Sequence, residues 1–131
     1  LRPGMLADVD EVDQARQQGA TCVFDSRGAE GYHGGGKYYD PVRGHIAGAG
    51  LADRAETTTP QGHFRSATDL RAHYDRLLGH LPPQDVIYYC GSGVTAAQNV
   101  LAMEVAGLPG SRMYVGSWSE WILDPNRPVE L

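Results

Sequence analysis

The sequence predicts an α/β domain built on a small, mostly parallel sheet that is flanked by helices. Three short runs rich in β-branched and aromatic residues predict buried strands, at residues 21–24, 86–89 and 112–115. Segments with apolar residues at helical spacing separate these runs. Strands that alternate with helices are typical of parallel sheets, because a parallel pair needs a long crossover connection. At 131 residues, the chain is expected to form one domain, residues 1–131.

Two of the predicted helices precede the middle strand. The first covers residues 8–18, where Val9, Val12 and Ala15 are spaced to form one apolar face. Gly19 is expected to end it. The second helix begins near Ser66, whose hydroxyl is placed to cap the first free backbone amides. A glycine at position 79 and prolines at 82 and 83 are expected to stop this helix.

Two more helices are predicted after the middle strand. One covers residues 95–106, with Gly107 as its C-cap. The last covers residues 116–121 and is halted by Pro125. Trp118 and Trp121 lie three residues apart, so we expect them to pack this helix onto the core. Trp118, which is nearer the strand end, is also a candidate for contacting a ligand.

Residues 26–62 are expected to be mostly irregular. Glycines at 34–36, 44, 48 and 50 and prolines at 41 and 60 exclude long regular elements there. So much irregular chain inside a small domain usually forms functional loops.

Cys90 is the residue with the clearest chemical signal. It follows a predicted strand, opens a glycine-rich loop and leads directly into a predicted helix. At such a turn, the loop amides and the positive end of the helix dipole favour an anion, and such surroundings stabilise a thiolate. Ligands of parallel sheets bind at the carboxyl ends of the strands, where both Cys90 and Asp25 are predicted to lie.

Composition and charge exclude several classes of function. The net charge is −5, and the eleven Lys and Arg residues are scattered, so nucleic-acid binding is not expected. No apolar stretch approaches the roughly 18 residues of a membrane span, and the N-terminal residues lack the pattern of a signal peptide. We therefore expect a cytoplasmic protein without a membrane partner. The chain begins at Leu1, which suggests a piece of a longer polypeptide.

Other candidate residues have simpler interpretations. Cys22 lies in an apolar run and is interpreted as a small buried hydrophobe, and both cysteines are expected to be reduced. The five histidines lack the spacing of a zinc site, so neither a metal nor a cofactor is expected. Arg27 could clamp a substrate, although an arginine beyond a strand more often anchors a loop.

Three separated motifs resemble the rhodanese family. They are Cys-Gly-Ser-Gly-Val-Thr-Ala at 90–96, Gly-Ser-Trp-Ser-Glu-Trp at 116–121 and Gly-His-Ile-Ala-Gly-Ala at 44–49. The segment from Asp25 to Gly34 also falls where that family has an aspartate-x-arginine loop. More narrowly, the chain is similar to the C-terminal, catalytic half of two-domain thiosulfate and 3-mercaptopyruvate sulfurtransferases. This resemblance implies a three-layer rhodanese-like fold and an N-terminal rhodanese-like domain in the full-length protein.

The resemblance implies that Cys90 is the catalytic nucleophile of a sulfurtransferase. Its thiolate would take sulfane sulfur from a small-molecule donor, form a persulfide, and pass the sulfur to cyanide or a thiol acceptor. Amides of the loop, with the hydroxyls of Ser92 and Thr95, would stabilise the anionic sulfur. The residues of this active-site loop are Gly91, Ser92, Gly93, Val94 and Thr95.

The residues after the cysteine bear on the donor. Thiosulfate-preferring members of the family tend to carry basic residues there, whereas this chain has Gly91 and Ser92. The resemblance is therefore greater to the mercaptopyruvate enzymes, which implies a donor that bears a carboxylate. An arginine that those enzymes use to hold the carboxylate is replaced here by Gly31. The candidates for substrate binding are Asp25, Arg27, His33 and Arg43.

Two other functions remain as alternatives. A cysteine phosphatase or arsenate reductase would need an arginine to close the loop, and residues 95–97 are Thr-Ala-Ala. A catalytically silent rhodanese module that serves binding or regulation would be expected to lose the cysteine, and Cys90 is present with its glycines.

Overall fold

A five-stranded parallel sheet organises the chain in the computed structural model, which describes residues 3–35, 42–91 and 95–131. The order of strands across the sheet is β1-β6-β5-β2-β4. The strands are β1 (Leu6–Ala7), β2 (Val23–Asp25), β4 (Gly50–Leu51), β5 (Ile87–Tyr89) and β6 (Arg112–Tyr114). A separate antiparallel pair is formed by β3 (His45–Ile46) and β7 (Val129–Glu130). The predicted α/β class with a mostly parallel sheet is confirmed.

Helices cover both faces of the sheet. They are α1 (Val9–Ala15), α2 (Ala29–Tyr32), α3 (Ala67–Leu78), α4 (Ala96–Val105) and α5 (Ser117–Trp121). One core cluster joins α3 and α4 to the sheet through buried residues such as Leu70, Tyr88 and Met103. A second cluster joins α1 and α5 to the opposite face through Val12 and Trp121. The domain therefore has three layers.

The sequence of the central strand β5 lacks polar alternation because both of its faces are buried. Tyr88 belongs to the core cluster on one face, whereas Ile87 and Tyr89 belong to the cluster on the other. All three side chains are fully buried. Because both faces of a parallel strand are covered by helices, such a strand has no polar alternation. The next residue, Cys90, continues the alternation and packs with the cluster of Tyr88.

Two helix starts are capped by short polar side chains. Ser66 Oγ accepts a hydrogen bond of 3.1 Å from the amide of Asp69, so the predicted cap of α3 is confirmed. At α1, Asp8 accepts from the amide of Glu11 and the Glu11 carboxylate accepts from the amide of Asp8. This reciprocal capping box fixes the turn between β1 and α1.

Several predicted boundaries differ from the structure. The first helix ends at Ala15 instead of residue 18, and the second strand begins at Val23, so Cys22 precedes it. The cap of α4 is Ala106, and Gly107 follows with a φ of 81°. The last helix begins at Ser117, one residue later than predicted. These differences arise at frayed or turn-like ends, where backbone hydrogen bonding changes within one or two residues.

The segment predicted to be irregular holds four short elements, among which β4 extends the sheet. β4 lies beside β2, with Phe24 opposite Gly50. A side chain at position 50 would place its Cβ 2.9 Å from the Phe24 ring, so this close approach requires glycine. No helix within the described ranges is long and apolar enough to cross a membrane.

Candidate active site

Cys90 lies at the carboxyl end of the central strand of the sheet. It directly follows β5, which is flanked by β6 and β2. The segments after those neighbours therefore meet it from both sides, with Ser117 beyond β6 and Arg27 beyond β2. Only 1% of the Cys90 surface is exposed. The position predicted for Cys90, between a buried strand and a helix, is confirmed.

Three successive residues at the start of α5 hold the backbone of Cys90 and Gly91. The amide of Cys90 donates to Ser117 Oγ over 3.2 Å, and the carbonyl of Cys90 accepts from the amide of Trp118 over 2.9 Å. The carbonyl of Gly91 accepts from both the amide and the hydroxyl of Ser119, over 3.0 and 2.8 Å. Because the N–H of a trans peptide points opposite to its C=O, the Gly91 amide points away from α5.

Ser117 has an unusual backbone and no exposed surface. Its φ is 55°, in the left-handed region that non-glycine residues rarely adopt. Its hydroxyl donates to the carbonyl of Tyr114 over 2.7 Å, and its Oγ lies 4.0 Å from Cys90 Sγ. A hydroxyl has one proton and two lone pairs, so Ser117 can donate to one acceptor and accept from the Cys90 amide at the same time. The strained turn therefore places the Ser117 hydroxyl, with its two hydrogen bonds to the backbone, beside the sulfur of Cys90.

An ion pair fills the other side of the site. Arg27 donates to the fully buried Asp25 carboxylate through Nε, at 3.0 and 2.9 Å, and through Nη2 at 2.6 Å. Nη2 also donates to the carbonyl of Gly44 over 2.7 Å. The guanidinium carbon lies 4.9 Å from the centre of the Trp118 ring. This geometry supports the interpretation of Arg27 as a loop anchor.

Tyr89 lies between the Asp25–Arg27 ion pair and the two antiparallel strands, β3 and β7. Its hydroxyl accepts a hydrogen bond from the amide of Ile46 over 3.0 Å and lies near the Asp25 carboxylate. Burial, together with the nearby Asp25 carboxylate, raises the pKa of Tyr89 well above its ordinary value. The phenol therefore stays protonated, while the Asp25 carboxylate accepts from the backbone amide, Nε and Nη2 of Arg27.

A buried amide joins α4 to the end of β2. Asn99 Nδ2 donates to Ser26 Oγ and to the carbonyl of Ala52, both over 2.8 Å, and its Oδ1 accepts from the Tyr74 hydroxyl over 2.7 Å. Asn99 has no exposed surface. Since every polar group of the amide has a partner, this network fixes the helix that follows the cysteine loop.

The structure brings together some of the predicted site residues. Gly91, which follows Cys90, lies beside Arg27, because a Cβ added to Gly91 would lie 4.0 Å from Cδ of Arg27. Arg27 in turn binds Asp25. Thr95 is half-buried at the start of α4. The predicted loop residues Ser92, Gly93 and Val94 lie outside the described residues. His33 and Arg43 are exposed, and their contact with a substrate stays a prediction.

Comparison with known proteins identifies the family. The rhodanese-like domain family matches this chain over residues 8–124. The chain belongs to the rhodanese-like domain family. A protein of Pseudomonas aeruginosa named "probable 3-mercaptopyruvate sulfurtransferase" is 38% identical over 98% of this chain and 49% of its own length. The 3-mercaptopyruvate sulfurtransferase of Escherichia coli K12 is 31% identical over 99% of the chain and 46% of its own length.

Other matches extend this likeness. A thiosulfate sulfurtransferase of Corynebacterium glutamicum is 31% identical over 87% of the chain and 40% of its own length. This rhodanese-like chain thus spans about half the length of the curated relatives it matches. Among solved structures, the anaerobic ergothioneine biosynthesis enzyme of Chlorobium limicola superposes with a TM-score of 0.85 at 24% identity, over 98% of this chain and 32% of that one. This last likeness concerns the fold.

The second cysteine of the rhodanese-like domain, Cys22, lies at the opposite end of the sheet from Cys90. Cys22 precedes β2, at the amino end of the sheet, and its Sγ donates to the carbonyl of Ala15 over 3.3 Å. Burial raises the pKa of the Cys22 thiol, and the Asp85 carboxylate adds to this. Both cysteines are free, as expected, and both are buried. The prediction that Cys22 is a small buried residue agrees with its 6% exposure.

Ser117, Ser119 and Asn99 are site residues that the sequence pattern does not single out. The motif at 116–121 contains the two serines, but its pattern predicts a role only for the two tryptophans, which pack the helix onto the core. Both tryptophans are buried, as predicted. One signal could have found Ser117 and Ser119: polar residues directly after a predicted parallel strand belong to the same edge as Cys90. Among the described residues, no three His, Cys, Asp or Glu side chains are placed to hold a metal ion.

Proposed function

We propose that this chain is the catalytic rhodanese-like domain of a sulfurtransferase, with Cys90 as the residue that carries sulfur. The observation that carries this proposal is the anchoring of Cys90 and Gly91 by Ser117, Trp118 and Ser119 at the carboxyl edge of the sheet. Membership of the rhodanese-like family supports it, as do the names of the relatives.

The proposed reaction has two halves and one covalent intermediate. In the first, the Cys90 thiolate attacks the outer sulfur of thiosulfate or the thiol sulfur of 3-mercaptopyruvate and forms an S–S bond. The bond that joined this sulfur to the donor breaks, and its electron pair leaves with sulfite from thiosulfate, or with the enolate of pyruvate from 3-mercaptopyruvate. In the second, cyanide or a thiolate attacks the outer sulfur of the persulfide and the electron pair of the S–S bond returns to Cys90.

The described groups are suited to stabilise the sulfur in its anionic forms. The Gly91 amide points away from α5 because the preceding carbonyl is bound by Trp118. Loop amides fixed in this way interact with an anion without reorganising during the reaction. We propose that residues 91–95 form this cradle and that the hydroxyls of Ser92 and Thr95 contribute to it.

The proposed donor bears a carboxylate, with 3-mercaptopyruvate preferred over thiosulfate. Position 91 is a glycine, so it provides no positive charge for a doubly charged donor. The guanidinium that lies nearest to it, that of Arg27, is held by Asp25 and Gly44. Two of the relatives described above carry 3-mercaptopyruvate sulfurtransferase in their names. We propose that Arg43 and His33 bind the donor carboxylate, and that Asp25 and Arg27 contribute to the substrate-binding side of the site by anchoring its loop.

We also propose that the chain works as the C-terminal half of a two-domain protein. Its relatives are about twice as long, since the chain covers 49% and 46% of two of them. The remaining half of such a protein would pack against the carboxyl edge of the sheet and complete the substrate site.

The proposal is tested by loading the protein with sulfur and measuring its turnover. Wild type is incubated separately with thiosulfate and 3-mercaptopyruvate, and its intact mass and the cyanide-dependent release of thiocyanate are recorded. We expect a gain of one sulfur atom, faster with 3-mercaptopyruvate, and no turnover of an aryl phosphate. Cys90→Ser should lose both signals, whereas Cys22→Ser, the matched control for a buried thiol, should keep them. Sulfur gain from neither donor, or equal turnover by Cys90→Ser, would contradict the proposal.

A further inference from the structure

Ser119 contacts the cysteine loop through its side chain as well as through its backbone. Its hydroxyl donates to the carbonyl of Gly91 over 2.8 Å, and its amide donates to the same carbonyl over 3.0 Å. Ser119 is exposed, so water competes for its hydroxyl. A serine near the start of a helix more often bonds within its own turn. Here the side chain reaches across to a residue 28 positions earlier in the chain.

The first turn of α5 has no helical partners for its amides, and the loop carbonyls take their place. The amides of Trp118 and Ser119 donate to the carbonyls of Cys90 and Gly91. The first amides of any helix lack partners within the helix, and buried ones need another acceptor. The hydroxyl of Ser119 adds one more donor from the same turn. The first turn of α5 therefore holds two consecutive carbonyls, those of the nucleophile Cys90 and of Gly91.

Gly91 depends on these hydrogen bonds for its orientation. A glycine has no side chain to restrict its backbone, and among the described residues the atom nearest to a Cβ at this position would be Cδ of Arg27, at 4.0 Å. Packing against the described residues therefore does little to fix the backbone of Gly91. Two donors on one carbonyl restrict its rotation more than the single bond that an amide alone would give.

We propose that Ser119 is a positioning residue for Cys90, and that its hydroxyl holds the Gly91 carbonyl and so fixes the backbone that directly follows the nucleophile. This inference rests on the proposed function for its link to sulfur transfer. The Ser119 hydroxyl meets the cysteine loop at the Gly91 carbonyl. It acts through Gly91, by limiting the conformations of the loop in which the nucleophile is reactive.

The test compares Ser119→Ala with Ser119→Thr, which restores the hydroxyl. Ser66→Ala is the matched control, because Ser66 Oγ likewise bonds a backbone group at a helix start, over 3.1 Å, but it lies at α3. Two rates are measured at one pH: alkylation of Cys90 and of Cys22 by iodoacetamide, and single-turnover sulfur loading from 3-mercaptopyruvate. Loading is followed over a range of donor concentrations.

For Ser119→Ala we expect Cys90 alkylation and the saturating loading rate to fall about fivefold, the effect of losing one hydrogen bond. The donor concentration for half-maximal loading and the alkylation of Cys22 should stay unchanged. Ser119→Thr should recover both rates, and Ser66→Ala should match wild type. A merely structural role would instead raise alkylation of both cysteines, since unfolding exposes both buried thiols.

The inference is overturned if Ser119→Ala equals wild type, if both cysteines become more reactive together, or if Ser119→Thr fails to recover the rates. The failure of the proposed function looks different. In that case wild type itself takes up no sulfur, whereas the alkylation rates still report whether Ser119 positions Cys90.

Discussion

The two ends of the parallel sheet carry the same kinds of residue in different settings. Each end has one buried cysteine, Cys90 at the carboxyl end and Cys22 at the amino end. Each end also has an arginine paired with a carboxylate. Arg27 pairs with a fully buried Asp25, whereas Arg112 and its partner Glu11 keep 25% and 45% of their side chains exposed.

The surroundings, and not burial alone, separate the two thiols. Cys22 donates its proton to the Ala15 carbonyl, and burial together with the Asp85 carboxylate raises its pKa more than Arg112 lowers it, which keeps it a thiol. Cys90 lies among the ends of three parallel strands, with a serine hydroxyl 4.0 Å away and backbone held by α5. We propose that the amides and hydroxyls at the carboxyl edge of the sheet, and not burial, give Cys90 its chemical role.

We expect the largest effect from mutations that break the ion pair at each end of the sheet in turn. Asp25→Asn should lower the free energy of unfolding by about 3 kcal/mol, because it leaves the Arg27 guanidinium without its buried partner. Glu11→Gln at the amino end should cost less than about 1 kcal/mol, since that pair is exposed and glutamine keeps the capping box. Urea unfolding of the two variants measures both values. Equal losses would contradict the distinction between the two ends.

A smaller effect is expected from the hydroxyl beside the sulfur. Ser117→Ala should slow sulfur loading about tenfold and cost about 1–2 kcal/mol of stability, because the Cys90 amide and the Tyr114 carbonyl lose a buried partner. Thr57→Val is the matched control. Thr57 is also fully buried, donates to a carbonyl over 2.7 Å and accepts from Gln98 over 2.9 Å, away from Cys90.

Single-turnover loading and urea unfolding separate the two variants. Thr57→Val should lose similar stability and keep its loading rate. If both variants slow loading equally, the rate follows stability, and Ser117 has no particular effect on Cys90.

Much of this arrangement could be predicted from the sequence because it depends on local signals. The apolar run before Cys90 requires a strand buried on both faces, and the glycines after it require a turn, so the strand-loop-helix order follows from adjacent residues. The cap at Ser66 is equally local. The likeness of three short motifs to one family then predicts the fold as a whole, which the described residues and the family match confirm.

The rest depends on contacts between residues distant in sequence. Ser117 and Cys90 are 27 residues apart, and Asn99 bonds Ser26 across 73. Only the strand order, with β5 between β6 and β2, makes these side chains neighbours. The strands β1 and β4 have two residues each, too few for a periodic pattern, and they form by pairing with their neighbours.

The central claim is that sulfur is carried at the carboxyl edge of the sheet, on Cys90, and not on the other buried thiol. The most direct measurement is to load wild type with 3-mercaptopyruvate, trap the thiols with iodoacetamide, digest the protein and locate the added sulfur by peptide mass. We predict one sulfur atom on the peptide that contains Cys90 and none on the peptide that contains Cys22. Sulfur on Cys22, or on both peptides alike, would contradict the account.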